Sequence, residues 1–382
     1  MGVFVMNNIY RSIKKLSVFL FLITSIVFCK SEKNDWVAKI GDEVITLKEF
    51  NTKFDVLLKL NFTSGQMALI KDNPDIKMQI LNSIISQKMI LKEMEKTQNL
   101  DHSQIRILEL QALTQYFIYT NVIPNIDIPS DDFLKAKYSE KEIKSILESK
   151  GIKNFEDAKE VLVSEYQKTR YIYLLRSSLE KLKYKYRIKT NDDFEENVIA
   201  RYIKNEIKPE EYSKLWIFKI EENTYYVKDI EDMIRTNILV SGSEEALKDY
   251  NNLNDKSNMR ANMLNEIIGV LLVKTDAEKE GWINNQDAKD FISIFIDNAK
   301  TQIYIKNKIA KNVPKPDLKS ALAYYESNKD KIKKPFNEVK DSIIYNLWLE
   351  EVKLRSAKYV DKLISESKID INDVYFKKNK SE

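Results

Sequence analysis

The chain reads as a mainly α-helical protein with small β-hairpins and sheets, an α+β arrangement. Three observations support this. It holds only 7 Gly and 7 Pro in 382 residues, so few tight turns are available and long helices should dominate. Apolar residues recur at the helical period over most of its length. Two short β-favouring runs flank polar turns, at Val37–Ile45 and Trp216–Val227.

These runs belong to a longer repetition. Lys39-Ile40-Gly41-Asp42-Glu43-Val44-Ile45-Thr46-Leu47-Lys48-Glu49-Phe50 returns in degraded form at Lys219–Ile230, an offset of 180. Leu81-Asn82-x-Ile84-Ile85 returns at Leu264–Ile268, and Phe155-x-x-Ala158-Lys159 at Phe336–Lys340. Leu182, Ile188 and Asn191 return as Leu363, Ile369 and Asn372. Landmarks in one order at nearly one offset point to two copies of one module. The expected divisions are a leader at 1–28, a tether at 29–35 and a first module at 36–190. A linker at 191–213, a second module at 214–376 and a disordered tail at 377–382 follow.

The elements of the first module follow in order. Val37–Ile40 and Val44–Ile45 around Gly41-Asp42-Glu43 predict a hairpin. Thr46 caps the next helix, with Glu49 as its capping-box partner, and Phe50, Phe54, Leu57 and Leu58 on one face. Asn73-Pro74 starts a second helix with a stripe from Ile76 through Ile80, Ile84 and Met89. Gln104–Val122 is a third. After an extended break at Ile126–Pro129, Ser130 caps a helix carrying Phe133, Leu134 and Tyr138. Ser139–Asn154 is helix-like, and Asn154 caps a long helix from Phe155 to about Leu182. Tyr184–Lys189 alternates like a strand and is expected to join the Val37–Ile45 hairpin.

The second copy predicts helices at Met259–Glu280, Asp290–Ala310, Leu318–Tyr325 and Phe336–Ser365, with a break at Val313-Pro314-Lys315-Pro316. A strand near Ile369 is expected to pair with the Trp216–Val227 hairpin. Because the same strand chemistry occurs twice, exchange of these partners between modules or between chains, as a strand-swapped homodimer, stays open.

The N-terminus reads as an export signal. Arg11, Lys14 and Lys15 precede an uncharged apolar run, Leu16–Phe28, too short to span a bilayer comfortably. It ends at Cys29, the single cysteine, so no disulfide forms within the chain. Cys29 is the expected lipidation site of a lipoprotein. Ile26-Val27-Phe28-Cys29 resembles a loose lipobox, with Phe28 where Gly, Ala or Ser is usual. The alternative is an incidental cysteine in an ordinary signal or uncleaved anchor.

Removing residues 1–28 removes three basic and no acidic residues, lowering the formal charge from +4 to +1. Charges of both signs alternate, which argues against a nucleic-acid partner. No Cys/His metal spacing, Gly-x-Ser-x-Gly or phosphate-binding glycine loop occurs, so neither a metal nor a cofactor is expected. Carboxylate pairs such as Glu142/Glu148 and Asp131/Asp132 read as solvated helix faces. His102, the only histidine, lies in a polar run between helices.

Val37-Ala38-Lys39-Ile40-Gly41-Asp42-Glu43-Val44-Ile45-Thr46-Leu47-Lys48-Glu49-Phe50 resembles the opening of SurA/PrsA-type periplasmic chaperones, with Gly41-Asp42 in place of the usual Asn-Gly. The helix around Leu81–Glu93, Tyr324-Tyr325, Phe336–Asp341 and the closing Leu363–Ile371 resemble further segments of the same module. The resemblance implies two tandem SurA-N-like helical modules. Its relatives usually carry a parvulin prolyl isomerase between the Tyr-Tyr helix and the Phe-x-x-Val-Lys helix. Here Glu326–Pro335 and Ser139–Asn154 occupy those places, and neither holds a domain of about 100 residues. No isomerase activity, and no other enzyme activity, is therefore expected.

The resemblance implies an ATP-independent holdase in the periplasm that binds unfolded, exported or outer-membrane proteins. Its membrane partner would be engaged through the lipid anchor. The chain carries 20 Tyr, 16 Phe and 4 Trp, many on helices at mixed phases. Candidate client-binding residues are Tyr116, Phe117, Tyr119, Tyr166, Tyr171, Tyr173, Tyr324, Tyr325, Tyr345 and Trp348. The bland alternative places most of them in the core or along helix seams. The competing functions are a structural or surface-exposed lipoprotein without client binding, and a degenerate isomerase relative.

Overall fold

A computed structural model describes residues 36–376, apart from 62–70, 98–99, 150, 192–196, 243, 253–256 and 333. Cys29 and the leader lie outside the described residues. These form thirteen α-helices and six short strands, the mainly α arrangement with small β elements that the sequence predicts. They fall into two compact units. One is Asp101–Ile292. The other joins the described residues up to Leu100 with those from Ser293 onward.

The second of these units is built on strands β1 (Trp36–Ile40), β2 (Glu43–Thr46) and β6 (Ile369–Ile371), in the order β2-β1-β6. Both pairings are antiparallel, with Ala38 opposite Ile45 and Ile371. Thr46 Oγ1 accepts from the Glu49 N–H at 3.1 Å and starts α1 (Leu47–Asn61). The Glu49 carboxylate meets Lys53 and Lys88. Asn73 Oδ1 accepts from the Asp75 N–H at 2.9 Å ahead of α2 (Pro74–Thr97). The inward faces of β1, α1 and α2 bury Val37, Ala38, Phe50, Phe54, Leu81, Ile84 and Ile85. Leu363, Ile364, Ile369, Ile371 and Phe376 from the far end of the chain pack on them. The closing helix α13 (Phe336–Ser365) also packs on α2, through the core of Ile90, Met94, Val352 and Val360.

The other unit holds α3 (His102–Asn121), α4 (Asp131–Ser139), α5 (Lys141–Ser149) and α6 (Phe155–Lys185). After α6 come β3 (Lys189–Thr190), α7 (Val198–Ile203), β4 (Trp216–Ile220) and β5 (Asn223–Tyr226). Helices α8 (Val227–Ser241), α9 (Glu244–Asn252) and α10 (Ser257–Lys279) complete it. Its sheet has the order β3-β4-β5. Ile107, Leu110, Leu113 and Phe117 of α3 share one core with Ile217, Phe218, Ile230, Ile234, Leu264, Leu271 and Leu272. Gly269 sits against Leu179, where an added Cβ would lie 3.3 Å from its Cδ1.

Helix α11 (Gln286–Lys308) contributes residues up to Ile292 to this unit and the rest to the other. α12 (Leu318–Ser327) precedes α13.

The pairing of the third strands differs from expectation. The strand near Ile369 joins β1, and the strand after α6 joins β4. That strand is also shorter than Tyr184–Lys189. Leu179, Leu182 and Tyr186 keep the helical period and turn inward, so α6 continues to Lys185. The chain leaves it at Arg187, in the left-handed region at φ 44°, and only Lys189–Thr190 pairs. Within the span expected as a linker, residues 197–213 include α7. Val198 and Tyr202 of α7 are fully buried.

The hairpins match in register. Trp36 faces Thr46 and Ile40 faces Glu43, while Trp216 faces Tyr226 and Ile220 faces Asn223. Both carry an irregularity after the tryptophan. At the tips, Gly41 (φ 59°) and Glu221 (φ 52°) share the left-handed conformation. Only the glycine adopts it without steric cost.

Candidate functional site

Two helical arms, one in each unit, carry eight of the thirteen large apolar side chains exposed among the described residues, while Val44, Tyr184, Tyr226, Leu354 and Val374 lie elsewhere. In the Asp101–Ile292 unit the arm is α4, α5 and the first part of α6. Ser130 Oγ accepts from the Phe133 N–H at 3.2 Å and caps α4, and Asn154 Oδ1 accepts from the Asp157 N–H at 2.9 Å and caps α6. These short polar residues satisfy N–H groups that the first turn leaves unpaired. α6 has 31 residues, so it runs about 46 Å. Ala158 and Leu182 are its only buried side chains among the described residues. Leu134 and Leu147 anchor α4 and α5.

The surface of this arm is organised by Asp127. Its carboxylate accepts from the Tyr166 hydroxyl at 2.7 Å and from Arg170 Nε at 3.0 Å. The Tyr166 hydrogen bond, helped by Arg170, lowers the Asp127 pKa below the ordinary carboxylate value. Phe133 meets Tyr166 edge-on at 5.2 Å, and the Arg170 guanidinium lies 5.5 Å from the Tyr173 ring. On the same arm Ile128, Phe133, Ile146 and Tyr173 stay exposed, Ile128 at 81% and Tyr173 at 61%.

In the other unit the arm is α12 against the first part of α13. Asp317 Oδ1 accepts from the Ser320 N–H at 2.8 Å and caps α12. Ala321, Tyr325 and Ile343 form a small core, with Phe336, Val339 and Leu347 packed on it. The Tyr325 hydroxyl donates to the Lys334 carbonyl at 3.0 Å and closes the connection between the helices. Leu318, Leu322 and Tyr324 of α12 and Tyr345 of α13 remain exposed at the margins of this core.

The ten aromatic candidates divide by position. Tyr173, Tyr324 and Tyr345 are exposed. Phe117 and Tyr325 are core residues, at 5% and 8% exposure. Tyr116 and Tyr119 are half-buried against Phe291, and Tyr116 also lies 5.5 Å from Trp282. Trp348 is half-buried, donates from Nε1 to the Val313 carbonyl at 3.1 Å and lies against Tyr345. Tyr166 is the partner of Asp127. Tyr171 is half-buried, and burial of its hydroxyl, which has no hydrogen-bond partner among the described residues, pushes its pKa up to about 12. Residue type alone did not single out Ile128, Ile146, Leu318 and Leu322. Leu318, Ala321, Leu322 and Tyr325 share the i, i+3, i+4, i+7 spacing of one helix face, so the pattern predicts burial for all four and gives no signal for the exposure of Leu318 and Leu322.

Asp131 is tied to Lys159, whose hydrogen bond lowers its pKa. His102 is exposed at the start of α3. Among the described residues no group of three or more His, Cys, Asp or Glu is placed to hold a metal ion, and no helix is long and apolar enough to cross a membrane. The arms present apolar and aromatic area on charged helices.

Residues 10–109 match the family model of the SurA-like N-terminal domain, in agreement with the resemblance carried by Val37–Phe50. The matched span covers β1, β2, α1, α2 and the start of α3. No curated protein and no solved structure matches the chain.

Proposed function

We propose that this protein is an exported, ATP-independent chaperone that holds unfolded segments of exported or outer-membrane proteins in the periplasm. It is tethered to the membrane through lipid on Cys29 and performs no enzymatic step. The observation that carries this reading is the exposure of Ile128, Phe133, Ile146 and Tyr173 on one arm and Leu318, Leu322, Tyr324 and Tyr345 on another. Large apolar side chains gathered on one exposed helical arm are the kind of surface that interaction sites use. The match of residues 10–109 to a SurA-like N-terminal domain supports a chaperone as the class.

The test is light scattering of a chemically unfolded model protein diluted into buffer with residues 30–382, without nucleotide. The proposal expects aggregation to fall at equimolar to several-fold excess. Unchanged scattering at several-fold excess would reject client holding and favour a structural lipoprotein. Anchoring is tested separately. Cys29→Ser should abolish acyl labelling and release the protein from the membrane fraction, since stable anchoring takes more than one chain.

A further inference from the structure

The strands and cores cross the sequence repetition in a regular way. The first hairpin, α1 and α2 pack with α13 and β6 from the end of the chain. The second hairpin, α8 and α10 pack with α3, α6 and β3 from the preceding half. Each unit therefore unites the opening part of one repeat with the closing part of the other. The closing strands dock alike. Asn372 donates its side-chain amide to the Trp36 carbonyl at 3.0 Å, and Asn191 donates its own to the Trp216 carbonyl at 2.9 Å. Their backbone N–H groups donate to Val37 and Ile217, each at 2.9 Å. Lys39 faces Asp370, and Lys219 faces Lys189.

We infer that the two repeats exchange their closing parts reciprocally within one chain, so that each half of the chain is the other's obligate binding partner. The chemistry supports mutual dependence. Without the second half, the first hairpin would expose one edge of β1 and the faces of Val37, Ile84, Ile85 and Ile90 that Leu363, Ile364, Ile369 and Ile371 cover. Without the first half, β4 would lose β3, and Phe218, Ile234 and Leu271 would lose α3. An uncovered strand edge and apolar face of this kind seek a partner of the same chemistry.

The experiment uses the full chain with a protease recognition sequence inserted after Asp193. A second version adds Cys29→Ser, Lys39→Cys and Asp370→Cys. Residues facing each other across antiparallel strands have Cα atoms about 4.5–5.5 Å apart, within disulfide range. After cleavage the halves should co-elute in native buffer and separate only in denaturant. The 39–370 disulfide should keep the cleaved protein at full mass on a non-reducing denaturing gel. A control with Lys39→Cys and Lys189→Cys, which would pair if each repeat closed on itself, should form no disulfide. The inference is overturned if the halves elute apart and each melts cooperatively, or if the 39–189 disulfide forms in place of 39–370.

Discussion

Asn372 and Trp36 lie 336 positions apart and are joined by a hydrogen bond, the Asn372 amide donating to the Trp36 carbonyl at 3.0 Å. Both Asn372 and its counterpart Asn191 are buried, so a lost bond leaves a backbone carbonyl without its partner. Asn372→Ala should cost about 1 kcal/mol, as for a typical intramolecular hydrogen bond. Amide exchange should quicken along Trp36–Ile40 and not along Trp216–Ile220. Asn191→Ala should show the reverse. Hydrogen exchange read by mass spectrometry distinguishes the two, and equal quickening in both sheets would count against local closure.

Arg260 and Glu231 form a buried pair, at 2% and 3% exposure, with Nη2 3.6 Å from Oε2. Tyr202 and Tyr250 donate their hydroxyls to Glu231, while Arg260 donates to the Tyr202 carbonyl and to Asn205. The network binds α7 to α8, α9 and α10. Arg260→Met takes one of two arginines from the carboxylate, which keeps Arg235 at 3.2 Å, and should destabilise the protein by about 1–3 kcal/mol. Adding Glu231→Leu should recover part of that loss. Urea unfolding of both single variants and the double gives the coupling, and strictly additive losses would contradict it.

Asp276 sets an acid limit. Burial raises its carboxyl pKa, but hydrogen bonds from Lys185, Trp282 and Tyr186 outweigh burial and hold it below the ordinary carboxylate value. A lowered folded-state pKa gives stability that is present above the unfolded value and lost as pH falls through the folded one. Asp276→Asn should therefore be less stable than the parent at pH 6–7, and the gap should narrow below about pH 4. Lys185 has the opposite sign. Burial opposes its charge, yet Asp276 and Glu280 raise its pKa, so its contribution persists until strongly alkaline pH. A gap that does not change with pH would refute the assignment to Asp276.

Exposed and buried aromatics should separate in their effects. Tyr173→Ser with Leu322→Ser and Tyr324→Ser should weaken aggregation suppression while each changes stability by about 0.5 kcal/mol or less. Phe117→Ala should cost about 3–5 kcal/mol, because it empties a packed site. Thermal melts and light scattering on the same samples check both. Full suppression by the triple variant would remove these side chains from the client surface.

Much of the fold was legible because its signals are local. Thr46, Asn73, Ser130 and Asn154 all cap helices where their short polar side chains predict. The Gly41-Asp42 turn and its degraded counterpart at Glu221-Glu222 both form hairpins. The choice of third strand was not legible. Both closing segments end in an asparagine that makes the same two bonds, so local chemistry does not say which hairpin each will meet. The exposed arm residues were only partly legible. Tyr324 and Tyr325 are neighbours of one type, yet one faces outward and the other fills a core. Helical phase against α13 decides between them.

The most direct measurement is site-specific photocrosslinking to an unfolded client. A photoreactive residue is placed in turn at Ile128, Tyr173, Leu322 and Tyr345, and at the exposed polar controls Glu206 and Glu210. The account predicts client adducts from the four arm positions and few from the controls, with the arm adducts lost when the client is refolded first. Adducts at equal yield from arm and control positions, or from none of them, would contradict it.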